Sequence, residues 1–165
     1  MARRDRDAEF KAFYFAEATK LRRLALFMTG DPEKAADLSQ EALLKAYRAW
    51  NRIKDGDPGP YVRRILVNLC RNEYRRRALE LRKPQHAPGD VASRDWQVDE
   101  SLRVAEALKV LSPIRKATVV LRFYEDMPEA QIAEFLDRPL NTVKSDLRRA
   151  LLALRPLLEE GATTT

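Results

Sequence analysis

Asn141, Thr142, Lys144, Ser145, Arg148 and Arg149 fall mainly on one side of a helical period whose other side is Val143, Leu147, Ala150, Leu151 and Leu154. Amides, hydroxyls and cations gathered on one face suit the base edges and phosphates of duplex DNA. Upstream, MPEAQIAEFL reads as a shorter helix with Pro128 at its first position and Ile132, Ala133 and Leu136 as its apolar stripe. Asp137-Arg138-Pro139 then breaks the period. A short helix, a turn and a second helix with a basic start is helix-turn-helix grammar, in which the second helix enters a major groove. The same spacing also fits a plain helical hairpin with a solvated charged face. A second basic centre runs from Tyr61 to Lys83, a local +6, against a local +4 from Arg138 to Arg155.

Reactive chemistry has no comparable footing. No carboxylate pair, metal cluster or nucleophile–base set stands out, so no enzyme, cofactor or metal is expected. His86, the only histidine, has no Cys or His cluster near it. Cys70, the only cysteine, lies in the apolar run ILVNLC and reads as core; with no disulfide available, a reducing compartment is expected. The start MARRDRDAEF lacks the apolar run of a signal peptide, and no stretch approaches membrane-spanning length. A cytoplasmic location without membrane insertion is expected.

The elements that must position these faces are helical. The chain has 165 residues, 34% of them charged, a net charge of +6 and five glycines, which suits two small helical domains and an anionic partner. One helix spans about Ala8 to Thr29, with Phe10, Phe13, Tyr14, Leu21, Leu24 and Phe27 or Met28 inward and Gly30 as its stop. Asp31 caps a second helix running to about Trp50, with Pro32 at its first position. Leu38, Ala42, Leu43, Ala46, Tyr47 and Trp50 form its buried side, and Asp37, Gln40, Glu41 and Lys45 share part of another face. Asn51 to Pro60 reads as a loop. A third helix follows from Tyr61 to about Leu81, with Val62, Ile65, Leu66, Leu69 and Cys70 inward and Arg63, Arg64, Asn68, Arg71, Asn72, Arg75 and Arg76 outward. Such a loop and helix suit single-stranded or melted nucleic acid, with Trp50, Tyr61 and Tyr74 available either for stacking or for the core. Residues 82–97 lose periodicity and read as a linker. Beyond it, Val98, Leu102, Ala105 and Leu108 mark one helix, and Ser112 caps another carrying Ile114, Ala117, Thr118, Leu121 and Tyr124. The last helix continues past Leu154, tolerating or kinking at Pro156.

Taken together, these stretches resemble the extracytoplasmic-function sigma factors of bacterial RNA polymerase, within the sigma-70 superfamily. The likeness rests on FMTGDPEKAADLSQEALLKAYRAW, PYVRRILVNLCRNEYRRR, LSPIRKATVVLRFYEDM and QIAEFLDRPLNTVKSDLRRAL, in the family's order and split by a linker. It implies an all-α protein of two small domains: 1–81 as sigma region 2, 82–97 as linker, and 98–165 as sigma region 4. By this resemblance Asp37, Gln40, Glu41 and Leu44 dock on the β′ clamp helices of core polymerase, and the β flap and an anti-sigma factor are further partners. The loop from Asn51, with Lys54, takes a flipped base of the −10 element. Arg63, Arg64, Asn68, Arg71, Asn72 and Arg75 hold the opening duplex, and phosphate contacts help offset the cost of extruding a base. Asn141, Thr142, Lys144, Ser145, Arg148 and Arg149 read the −35 element.

The chain departs from the family at the second helix-turn-helix element. Gly-Cys-Ser and Gly-Thr-Val-Lys-Ser-Arg are common there, against Asp137-Arg138-Pro139 and Asn141-Thr142-Val143-Lys144-Ser145-Asp146 here. An Asp facing phosphates is repulsive unless it accepts from a cytosine amino group or pairs with Arg149 or Arg138. On this reading Asp146→Arg alters the −35 preference or raises affinity. An ordinary helix-turn-helix regulator explains only the second domain. A sigma-like module that binds polymerase or an anti-sigma factor, with weakened promoter reading, is the other alternative.

Overall fold

The computed structural model describes residues 2–80 and 98–162; the linker at 82–97, His86 and the last three residues lie outside them. Among the described residues all regular structure is helical, in two units, Met1–Arg94 and Asp95–Thr165.

In the first unit α1 (Ala2–Thr29), α2 (Pro32–Arg48) and α4 (Pro58–Glu80) pack on one another, with the single turn α3 (Trp50–Ile53) between the last two. Its core is Leu24, Ala25, Leu26, Ala35, Ala42, Leu43, Ala46, Val62, Leu66 and Val67, all at most 2% exposed. Each large aliphatic side chain so buried contributes about 2 kcal/mol relative to exposure. The expected faces needed two adjustments. Val67 is fully buried, whereas Ile65 and Leu69 are half-buried. Phe27 and Met28 are both inward because α1 is enclosed on several sides near its C-terminus.

Helix boundaries follow local chemistry. Gly30 ends α1 at φ 69°, its N–H donating to the Leu26 carbonyl at 2.7 Å. Asp31 caps α2 by accepting from the N–H groups of Glu33 and Lys34. The start of α1 lies six residues before the expected one. Its first turns are held by Arg6, which donates to the Tyr47 carbonyl at 3.0 Å, and by Asp7, which accepts from the Tyr47 hydroxyl at 2.7 Å. Such contacts cannot be read from α1 alone. The expected loop at residues 51–60 is also shorter. The Lys54 N–H bonds to the Trp50 carbonyl and closes α3, and Asp57 accepts from the Gly59 N–H at the start of α4. A Cβ on Gly59 would come within 3.3 Å of both Arg63 Nη1 and Asp57 Oδ1, so a small residue is favoured there.

The second unit holds α5 (Val98–Leu108), α6 (Pro113–Phe123), α7 (Glu129–Leu136) and α8 (Leu140–Ala162). Lys116 to Leu121 are all buried, so α6 gives this unit an unbroken buried run, and α8 packs on each of the other three helices. Ser112 occupies the N-cap position of α6 without a side-chain cap bond, and Pro128 is the N-cap of α7 rather than its first residue. Leu151, expected inward on α8, is 44% exposed; Val143, Asp146, Leu147, Ala150 and Leu154 are the buried residues. Pro156 stands inside α8. It denies a donor to the carbonyl of residue 152, in a stretch exposed enough for water to take its place.

Candidate nucleic-acid interface

Two helix faces carry the polar and basic residues singled out from the sequence. On α8, Asn141, Lys144, Arg148 and Arg149 are exposed and Thr142 and Ser145 half-buried, opposite the buried Val143, Leu147 and Ala150. The helix is presented by a tight turn. Asp137 ends α7 in the left-handed region at φ 52°, and the Arg138 N–H reaches the Ala133 carbonyl at 2.8 Å.

Asp146 is not on that exposed face. It is 7% exposed, its Oδ1 lying 3.4 Å from Arg115 Nε and its Oδ2 3.5 Å from Arg138 Nη2. Arg138 was one of the two expected partners. Arg115 lies 31 residues away on α6, and no local pattern singles it out. Because the carboxylate sits between two cations, Asp146→Arg would replace two ion pairs by three crowded cations. Arg115, Arg138, Asn141, Thr142, Ser145 and Arg149 line one open cleft with Asp146.

In the first unit Asn68, Asn72 and Arg75 are exposed along α4, with Arg64 exposed and Arg63 and Arg71 half-buried. Arg76, read from the sequence as part of this outward basic surface, is engaged by acids. It bonds Glu73 at 2.7 Å and Glu80 at 2.6 Å, while Arg77 reaches Asp31 at 2.8 Å. Lys34 joins Glu73 at 3.2 Å. The Arg76 hydrogen bond foremost, and Lys34 with it, hold the Glu73 carboxyl below its ordinary range. Part of the local positive charge is therefore spent on tying α4 to α2.

Around α3, Asn51 is exposed and Lys54 is half-buried with its ammonium 3.3 Å from Glu9 of α1. Trp50 is core: it is 4% exposed and packs against Phe10 and Phe13. Arg52, which the sequence reading passed over, donates to the Tyr61 hydroxyl at 2.9 Å, and Arg48, Asn51, Arg52, Tyr61 and Ile65 line a groove. Its position beside Asn51 in a Gly- and Asp-rich stretch was the available signal. Tyr74 is 44% exposed.

A third face lies on α2, where Asp37, Gln40, Glu41 and Leu44 are all exposed along one stripe, opposite Leu38, Ala42 and Leu43. The Gln40 amide donates to the Tyr14 hydroxyl at 2.9 Å. No group of three or more His, Cys, Asp or Glu with metal-binding geometry occurs among the described residues, and none of their helices is long and apolar enough to cross a membrane.

Residues 13–80 match the family Sigma-70 region 2, and residues 101–154 match Sigma-70, region 4. Over 154 residues the chain is 35% identical to the RNA polymerase sigma-E factor of Streptomyces avermitilis, covering 92% of this chain and 86% of that one. It is 33% identical over 170 residues to the ECF RNA polymerase sigma factor SigL of Mycobacterium tuberculosis, covering 95% and 93%. The chain belongs to the extracytoplasmic-function sigma factors. As a sigma factor it binds RNA polymerase and directs it to promoters for transcription initiation. The all-α fold agrees with two solved structures. RpoE of Bartonella quintana, in complex with the anti-sigma factor NepR, gives a TM-score of 0.69 at 23% identity, over 91% of this sigma factor and 96% of that chain. CnrH, in complex with the cytosolic domain of CnrY, gives 0.62 at 24%, over 92% and 88%.

Proposed function

We propose that this sigma factor grips promoter DNA at two points and polymerase at a third, with the work divided as 1–81, a linker at 82–97, and 98–165. Asp37, Gln40, Glu41 and Leu44 dock on the β′ clamp helices of core polymerase; the second unit meets the β flap. Asn51 and Lys54 frame the flipped base of the −10 element while Arg63, Arg64, Asn68, Arg71, Asn72 and Arg75 hold the strands it came from. Asn141, Thr142, Lys144, Ser145, Arg148 and Arg149 read the −35 element in a major groove. The observation that carries this reading is the two-sided α8: cations and hydrogen-bonding side chains outward, a buried apolar stripe inward, on the helix after a left-handed turn.

The protein acts in the cytoplasm without catalysing a reaction of its own and without a cofactor. An anti-sigma factor is proposed as a further partner, by likeness to RpoE of Bartonella quintana, which was solved with the anti-sigma factor NepR. Run-off transcription of a genomic fragment library by purified core polymerase plus the full chain tests the proposal. The expected result is transcripts whose start sites share two spaced upstream elements. A stable polymerase complex that starts no transcript would leave a module that binds polymerase or an anti-sigma factor. Tight, sequence-selective duplex binding without polymerase would instead favour an ordinary helix-turn-helix regulator.

A further inference from the structure

A carboxylate near the start of a DNA-reading helix is electrostatically unwelcome, since phosphate repels it. Asp146 is nonetheless the residue on which three elements of the second unit converge. Its two oxygens face Arg115 of α6 and Arg138 of the α7–α8 turn from its own place on α8. Its side chain is 9% exposed, and those of Arg115 and Arg138 are 35% and 34%. Each guanidinium therefore spans from a buried carboxylate to solvent. It also carries more N–H donors than its single contact with Asp146 uses. Both border the cleft that contains Asn141, Thr142, Ser145 and Arg149. Two cations on one carboxylate leave the corner net positive, and Arg149 adds to it.

We propose that Asp146 is a positioning residue for a phosphate clamp: it fixes Arg115 and Arg138 beside the recognition helix so that they bind one backbone phosphate of the upstream duplex. Asp146 itself reads no base. The inference rests on the reading of α8 as the duplex-binding helix and adds Arg115 and Arg138 to it. A fixed guanidinium pair loses little freedom when a phosphate arrives, and its fork matches phosphate oxygens. The clamp sets the register of α8 in the groove, while specificity stays with the exposed α8 residues.

The test uses holoenzyme made from core polymerase and the full chain. It selects from a duplex pool randomised over the upstream element, then measures affinity for the selected duplex against salt concentration. Asp146→Asn makes the protein more positive, so charge alone predicts tighter binding. The clamp predicts the opposite: binding weakens several-fold, the salt dependence becomes shallower by about one contact's worth, and the selected sequence is unchanged. Arg115→Gln and Arg138→Gln, at partly exposed positions, give the same pattern and keep the test open should Asp146→Asn misfold. In the Arg115→Gln/Arg138→Gln background, Asp146→Asn weakens binding no further.

A changed preference at one base pair in Asp146→Asn would make Asp146 a base contact and overturn the proposal. Unchanged or tighter binding would overturn it too, as would lost stability with an unchanged salt slope. Failure of the wild-type holoenzyme to enrich any upstream sequence would instead defeat the duplex reading of α8 and the clamp with it, a result distinct from failure of the variants alone.

Discussion

Arg77 of α4 donates to Asp31 at 2.8 Å, and the same Asp31 carboxylate caps α2 by accepting from the N–H groups of Glu33 and Lys34. One side chain therefore starts the helix carrying the exposed stripe of Asp37, Gln40, Glu41 and Leu44 and ties it to the helix carrying Arg64, Arg71 and Arg75. Asp31→Ala removes both roles and is expected to cost about 1–2 kcal/mol. Asp31→Asn keeps a capping oxygen and loses the ion pair, so it should cost less, as should Arg77→Gln. Urea unfolding followed by circular dichroism ranks the three variants, and equal losses from Asp31→Ala and Asp31→Asn would mean that the cap contributes nothing.

Charge reversal on the α2 stripe should separate polymerase binding from folding. Asp37 and Glu41 are exposed, so Asp37→Lys combined with Glu41→Lys is expected to leave the melting temperature within a few degrees. Affinity for core polymerase should drop by about tenfold or more. Fluorescence anisotropy of labelled protein titrated with core polymerase reads the change, and wild-type affinity would remove this face from the interface.

Asp137 holds a left-handed conformation at φ 52° at the end of α7, a region that glycine enters without strain. A side chain in that region is strained, less for Asp than for most residues. Asp137→Gly is expected to stabilise the second unit by up to about 1 kcal/mol. Thermal unfolding monitored at helical wavelengths decides it, and a lower melting temperature would count against strain at this turn.

Burial pushes the Cys70 thiol up to about 12, whereas in an unfolded chain it titrates near about 8.5. Between those values the unfolded chain gives up a proton that the folded chain keeps. The contribution to stability is therefore full below about pH 8.5 and is lost as pH rises toward about 12. The native protein should resist a thiol reagent at neutral pH and react once urea unfolds it. Cys70→Ala should show a shallower loss of stability in alkaline solution, and an equal slope would mean that the thiol is not the group responsible.

Asp146→Arg is expected to destabilise rather than sharpen promoter reading. It replaces a buried carboxylate held between two partly exposed arginines by a third cation, so two ion pairs give way to like-charge repulsion. The melting transition of the second unit should shift down, and unaltered stability together with tighter duplex binding would restore the view that the position faces DNA.

Much of the architecture was legible because helical periodicity is a local property. The alternation around Val143, Leu147 and Ala150 and the Asp31-Pro32 start need only neighbouring residues, and both are found as expected. The starts of α1 and α4 lie ahead of the local apolar period because Tyr47 and Asp57 set them. The former contact spans 40 residues, and the latter is an Asx bond inside a stretch whose composition reads as loop. The loop's Lys54 and the outward Arg76 both carry the positive charge that suits nucleic acid, yet each is paired with an acid.

By itself the sequence determined that this is an all-α sigma factor with two basic centres, since amphipathic spacing, caps and motif order are written along the chain. Only tertiary structure decided what each charge does, because an ion pair depends on distance in space. The aspartate that seemed aimed at DNA is buried between Arg115 and Arg138, and that pairing exists only once α6, the turn and α8 have packed.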